Sequence, residues 1–283
     1  MVLLALLGAW ADGWLDRFAI DESGRTLPPG TVLFPVAVVV ALLAGRELAG
    51  LLRAVGIVAS TFVTCVVAVL GLLVSAFVPS SFSGVSGGAV VTISVAGVLA
   101  FSMVYYGRHK NTDGMVAAAG GSLLAFCLRG LMLGYIVTLR REQDIWVVIW
   151  VLLTTKSSDI GAYTLGHLIG KHKLIPWLSP GKTWEGLLGA VLFAAGIGAG
   201  GAALLAVVEI PGRPAVIPAA LLGALFALAG QAGDLLESVL KRDAGKKDSG
   251  GTIPGFGGVL DVIDSLLLAP PLAYWLLPLA AAG

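Results

Sequence analysis

SVLKRDAGKKDSGGTIPGFGGVLDVID, residues 238–264, crowds charge and glycine between two apolar runs, 215–240 and 259–281, each long enough to cross a bilayer. Charge beside such runs is expensive and marks function by default.

Working outward, the 283 residues are 57% hydrophobic and only 12% charged, with a mean hydropathy of +0.94. A soluble globular domain does not reach these values. Further apolar runs lie at 31–52, 57–78, 88–106, 115–139, 145–168 and 184–209, and a weaker one at 1–20 is interrupted by Asp12, Asp16 and Arg17. The expectation is an all-α polytopic integral membrane protein of about nine transmembrane helices. The start MVLLALLGAW has neither a basic n-region nor a small-residue cleavage site, so the first helix is expected to stay. Cys65 and Cys127 fall inside apolar runs and read as small hydrophobes, not as a disulfide.

A net charge of +1 is uninformative, but its distribution is not. With a cytoplasmic N-terminus, Arg46, Arg53, Arg108, Lys110, Lys171, Lys173, Lys182, Lys241, Arg242, Lys246 and Lys247 share one side of the membrane. Arg17, Arg25, Arg140, Arg141 and Arg213 lie on the other. The bias puts the loops near 171–183 and 241–258 in the cytoplasm.

In the run ending near Lys241, the polar residues Gln231, Asp234, Glu237, Ser238 and Lys241 fall within an arc of about 120° at helical spacing. The next run opens with Asp261, Asp264 and Ser265, again on one side. Asp234 and Glu237 can be read as inert paired charges, and Asp261 and Asp264 as carboxylates complementing a helix dipole. Taken with Lys241, Arg242, Lys246 and Lys247, the carboxylates suit a magnesium and polyphosphate site, since oxygen ligands take the hard cation and basic side chains take phosphate oxygens. A second constellation lies in TTKSSDIGAYTLGHLIGKHKLIPWLSPGKTWEG, residues 154–186. Lys156, Asp159 and Tyr163 share a helix face with His167 close by, although Lys156 and Asp159 also suffice to neutralise each other. Ser179 or Thr183 is placed to cap the helix that follows.

Two motifs fail. PGKT lacks the glycine of a phosphate-binding loop, because Pro176 stands five residues before Gly181. Gly196, Gly198 and Gly201 match a dinucleotide spacing but sit in an apolar run, which makes them a helix-packing face.

Ser238, Lys241, Arg242, Lys247 and Asp248, followed by Pro254, Gly255, Gly257, Gly258, Asp261 and Asp264, closely resemble the signature of the CDP-diacylglycerol synthases, the phosphatidate cytidylyltransferases. Asp159 to Tyr163 and Ser179 to Gly186 resemble the same family's second motif. Phe256 and Val262 depart from it, standing where the family usually has histidine and arginine. The resemblance implies that CTP and phosphatidate give CDP-diacylglycerol and pyrophosphate. It implies metal ligation by Asp234, Asp261, Asp264 and Ser238, in a two-metal site containing Mg2+. Lys241, Arg242, Lys247 and Asp248 become the catalytic set, and Lys182, Ser179, Thr183, Asp159, Lys156, Gly257 and Gly258 the substrate-binding set. The two motifs cover roughly residues 150–270; with the hydropathy they divide the chain into N-terminal transmembrane helices over 1–143 and a catalytic transmembrane region over 144–283 with cytoplasmic catalytic loops, expected in the bacterial inner membrane with membrane lipid as a partner and no nucleic acid, and the family suggests a homodimer. Other CTP-dependent lipid cytidylyltransferases and polyprenol kinases are the nearest alternatives. A transporter fits less well, because the sequence shows no internal repeat and its charges crowd one surface.

Overall fold

The computed structural model describes residues 29–81, 87–108, 112–253, 255 and 257–281. The first expected span, 1–20, and Phe256 lie outside them. The described chain is helical over most of its length: α1 (Leu33–Ala54), α2 (Thr61–Ser81), α3 (Gly87–Gly107), α4 (Met115–Leu124), a π-helical segment (Ala125–Leu131) and α5 (Met132–Glu142). Then come α6 (Ile145–Ile169), α7 (Trp184–Val207), α8 (Val216–Asp243), the short α9 (Leu260–Ile263) with a 3-10 turn (Asp264–Leu266), and α10 (Ala269–Ala280). Among the described residues seven helical segments are long and apolar enough to cross a membrane, and Thr61–Phe77 is a shorter apolar helix. A 22-residue helix such as α1 rises about 33 Å at ~1.5 Å per residue, matching a hydrocarbon core of about 30 Å. This is an all-α polytopic membrane protein; the expected count of nine spans is not established by the described residues.

The stretch near 171–183, expected to be a loop, contains a hairpin. Lys173–Ile175 (β1) and Ser179–Thr183 (β2) form a two-stranded antiparallel sheet, pairing Lys173 with Thr183 and Ile175 with Ser179. Pro176 and Pro180 restrict the preceding residues to extended backbone, and a two-stranded sheet has only edges, where proline is tolerated.

The helices group into two compact units. One contains Leu139–Val239 and the chain from Ile263 onward. Within it α6 and α7 cross at Gly161 and Gly189, where a Cβ on either would run into the backbone oxygen of the other. Backbones approach this closely only where side chains are absent. Gly198 and Gly201 of α7 likewise face Ala219 and Trp150, whose indole donates to the Gly198 carbonyl at 2.9 Å and whose ring meets Phe226 edge-on. Gly196 is different, since a Cβ there would meet nothing within 4 Å, so the packing face uses two of the three glycines.

Helix α8 shows its environment in its own pattern. Ile217, Leu221, Leu225, Leu228, Leu236 and Val239 are exposed at spacings that keep them on one stripe, whereas Phe226, Gly230, Gly233, Gln231 and Glu237 are buried. Large apolar side chains outward and polar ones inward is the arrangement a hydrocarbon solvent selects.

The other unit contains Val32–Thr138 and Leu240–Val262. Here α2 lies against the π-helical segment through Gly71 and Gly130, each too close to the opposite backbone for a Cβ. Helix α1 meets α2 at Gly45, where a Cβ would stand 3.0 Å from the Cys65 Cα. That contact fixes the last turns of α1, including Glu47 two residues on.

Replacing Gly189 by leucine is expected to lower the unfolding temperature in detergent through overpacking worth about 1–3 kcal/mol. Gly196→Ala is expected to leave it unchanged or raise it. Equal effects would mean that the α6–α7 crossing is not where the glycines matter.

Candidate active site

In the first unit a cleft of about 570 Å3 is lined by Asp159, Tyr163 and His167 of α6, Lys173 of β1, Lys182 and Thr183 at the end of β2, and Gln231 and Asp234 of α8. That volume lies in the range of small-ligand sites. The three α6 residues share one face at spacings of four, and the Tyr163 and His167 rings stack with centroids 5.8 Å apart and planes 5° from parallel.

The hairpin is set in place by its neighbour helix. Thr183 caps α7, its Oγ1 accepting from the Gly186 amide at 3.1 Å, which satisfies an amide the helix itself leaves free. Glu185 accepts from the His172 backbone and meets its Nδ1 at 2.6 Å. Lys182 at the end of β2 thereby reaches Asp234 of α8, Nζ to Oδ2 2.7 Å. Ser179 pairs with Ile175 across the hairpin and is not among the cleft-lining residues.

Behind the cleft, Asp264 is buried and accepts from the Ser265 amide at 2.6 Å. Its carboxylate is in electrostatic range of Asp234, Asp159 and Lys156. Lys156 spans this group, 3.3 Å from Asp159 Oδ2 and 2.5 Å from Ser265 Oγ. Gly233 makes the approach possible, since a Cβ there would strike the Asp264 carbonyl oxygen. Ser238, one turn beyond Asp234, is buried on α8.

Among the described residues, no three His, Cys, Asp or Glu side chains are placed to hold a metal by themselves. The donor set of Asp234 and Asp264 still fits Mg2+, which is usually held by one or two carboxylates plus substrate phosphates. Two nearby carboxylates, one of them buried, favour a cation between them.

The second unit holds the glycine-rich segment. Lys241 Nζ meets Asp261 Oδ1 at 2.6 Å, and both side chains are only 11% exposed. Asp261 Oδ2 accepts from the Ser249 amide, the Ser249 hydroxyl and the Gly258 amide, each at 2.8 Å. Both oxygens of this expected metal ligand are thus engaged, and a cation would have to displace those donors. Gly257 has a φ of +88° and its Cβ would lie 2.8 Å from Asp261 Oδ2. Gly258 has no room for a Cβ beside Ser249 and Glu47. Arg242 Nη1 donates to the Lys246 carbonyl at 3.1 Å, and Arg242, Lys247 and Asp248 are exposed. Val262 is half-buried in α9.

The structure brings together Lys156, Asp159, Lys182, Thr183, Asp234 and Asp264 in one unit, and Lys241, Asp248, Gly257, Gly258 and Asp261 in the other. Sequence reasoning misses Glu47, whose carboxylate is buried against the glycine-rich segment. An acidic residue within an apolar run is the available signal.

Comparison with known sequences identifies the family. The pattern of the cytidylyltransferase family matches residues 26–280, nearly the whole chain, and the protein belongs to that family. A phosphatidate cytidylyltransferase of Brucella suis biovar 1 is 38% identical over 191 residues, 66% of this chain and 65% of the relative. One of Mycobacterium tuberculosis (strain ATCC 25618 / H37Rv) is 38% identical over 154 residues, 54% of this chain and 44% of the relative. An uncharacterized Escherichia coli K12 protein, YnbB, is 38% identical over 134 residues, 46% of this chain and 41% of its own. The chain spans about half the length of the mycobacterial relatives it matches.

Removing one partner of a buried ion pair costs about 3–5 kcal/mol, because the other charge is stranded. Lys241→Met is therefore expected to destabilise the protein by several kcal/mol, and Lys241→Met with Asp261→Asn by less than the sum of the singles. A chemical-denaturation cycle in detergent measures this, and strict additivity would show that the pair is not coupled.

Proposed function

We propose that this protein transfers the cytidylyl group of CTP to phosphatidate, giving CDP-diacylglycerol and pyrophosphate. The observation that carries the reading is the cleft in which Lys182 meets Asp234, with the buried Asp264 behind it, in a chain of the cytidylyltransferase family. The names of the Brucella and Mycobacterium relatives point to the same substrate.

A phosphate monoester has its second pKa near ~6, so the lipid phosphate is already largely dianionic at neutral pH and needs no strong base. One of its oxygens attacks the α-phosphorus of CTP, the bond from that phosphorus to the bridging oxygen breaks, and pyrophosphate leaves with the electron pair. The difficulty is bringing two polyanions together. Lys182 and Lys173 line the cleft and supply donors to phosphate oxygens. Lys156, steered by Asp159 and Ser265, adds positive charge beside Asp264. Tyr163 and His167 offer flat surfaces at the cleft wall for the nucleobase. Mg2+, alone or with a second cation, would be held by Asp234 and Asp264 and would neutralise the phosphate charges. By resemblance, Lys241, Arg242 and Lys247 hold phosphate oxygens and Asp248 is a secondary acidic position. Leu187 at the cleft and the exposed Leu188 and Ile160 nearby give acyl chains an apolar path back to the bilayer.

The purified chain incubated in detergent with phosphatidate, Mg2+ and α-labelled CTP is expected to yield labelled CDP-diacylglycerol and unlabelled pyrophosphate. Release of CDP would indicate a kinase. Asp234→Asn and Asp264→Asn are each expected to reduce turnover by about 10²–10³-fold, the usual effect of losing an electrostatic group at a reacting phosphate. The native chain is expected to be active without Phe256→His or Val262→Arg; activity only in that double variant would show that the two departures have silenced it.

The bias of basic residues supports a cytoplasmic active site at a bacterial inner membrane, and the resemblance suggests a homodimer. Single cysteines at the exposed positions Lys246 and Pro211, in a background lacking Cys65 and Cys127, are expected to label from opposite sides, Lys246 from the cytoplasm. Labelling of position 246 from outside intact cells overturns that orientation.

A further inference from the structure

Glu47 lies on α1, in the half of the chain that carries neither signature motif, and only 7% of it is exposed. Its two oxygens accept four hydrogen bonds, all from the glycine-rich segment. Oε1 accepts from Thr252 Oγ1 at 2.6 Å and from the Val259 amide at 2.9 Å. Oε2 accepts from Ser249 Oγ at 3.1 Å and from the Leu260 amide at 3.0 Å. The Ser249 hydroxyl also stands 2.8 Å from Asp261 Oδ2, so its single proton is shared between the two carboxylates and links Glu47 to the Asp261–Lys241 pair. Gly250 and Gly258 are shaped around the same carboxylate: a Cβ on Gly250 would lie 3.0 Å from Oε1, and a Cβ on Gly258 would clash with Oε2.

We propose that Glu47 is the positioning residue for the glycine-rich segment, holding residues 249–253 and 257–260 in the one conformation that presents Lys247 and the Gly257 backbone to substrate phosphates. It touches no reacting atom; it acts by bracing the backbone on both sides of the loop. A carboxylate suits this task because it accepts at every position. Glutamine, equal in size, does not: whichever way its amide turns, the NH2 faces either the Val259 or the Leu260 amide, and a backbone N–H cannot reverse its role. The hydroxyls of Ser249 and Thr252 can rotate to adapt, but the stranded amide cannot.

The effect on turnover rests on the reaction proposed above; the effect on the segment does not. Hydrogen exchange is measured by mass spectrometry on the full-length protein in detergent, for the native chain, Glu47→Gln, Thr252→Val, Gly258→Ala and Gly251→Ala. Peptides covering 249–260 are expected to exchange about tenfold faster in Glu47→Gln and Gly258→Ala, the factor set by about one lost buried hydrogen bond, while peptides from α6 stay at the native rate. Thr252→Val, which removes one of the four donors and tolerates failure of the other variants to fold, is expected to give a smaller acceleration of the same peptides. Gly251→Ala is expected to change nothing, since a Cβ there meets no atom within 4 Å. In the CTP assay, Glu47→Gln is expected to lose at least about tenfold in kcat. Native exchange over 249–260 in Glu47→Gln, or equal acceleration in α6, overturns the proposal. So does full turnover in a variant whose segment has loosened. If the native chain makes no CDP-diacylglycerol, the assigned reaction is wrong, and the exchange pattern alone decides the role of Glu47.

Discussion

A carboxylate on an apolar helix has little water to turn to, and is held by partners within the protein. The placement of polar groups in this molecule follows from that constraint. Asp234 faces Lys182, Asp261 faces Lys241, and Glu47 is closed in by four donors. Each partnership draws distant stretches of chain together, and each leaves the outward faces free to be apolar, as the leucine stripe of α8 is.

Such partnerships need backbones at close quarters. Gly161 against Gly189, Gly71 against Gly130, and Gly233 beneath Asp264 remove the side chains that would hold the helices apart. In water, apolar burial drives helices together; among lipid tails it does not, and close packing with satisfied polar groups takes its place. The glycines and the carboxylates are therefore parts of one solution, the first allowing the approach and the second giving a reason for it.

Helical periodicity makes much of this legible. The polar arc of α8 stands out because its polar positions repeat at helical spacing in an apolar run, and Asp159, Tyr163 and His167 stand out on α6 for the same reason. The capping hydroxyl of Thr183 is also visible, since a threonine before an apolar run is a local signal. Glu47 is hidden for two physical reasons. It follows Arg46 near the end of its run, where charge reads as a membrane boundary. Its partners also lie more than 200 residues away, beyond the reach of any periodicity. Gly196 and Gly198 look alike in sequence, and only the neighbouring helix decides which one is needed. The hairpin at 173–183 escapes for want of length, because strands of three and five residues are too short to show alternation.

The exposed stripe of α8 has a consequence for where chemistry can occur. Its last large apolar member is Val239, and Lys241 follows within one turn. The stripe is in effect a depth gauge: the apolar exterior that hydrocarbon requires ends there, and the charged segment begins beyond it, as expected at the level of lipid headgroups. A phospholipid's own phosphate rests at that depth. On the proposed reaction, such a protein would meet a lipid phosphate by lateral diffusion alone, without lifting the molecule from its leaflet or drawing its tails through water.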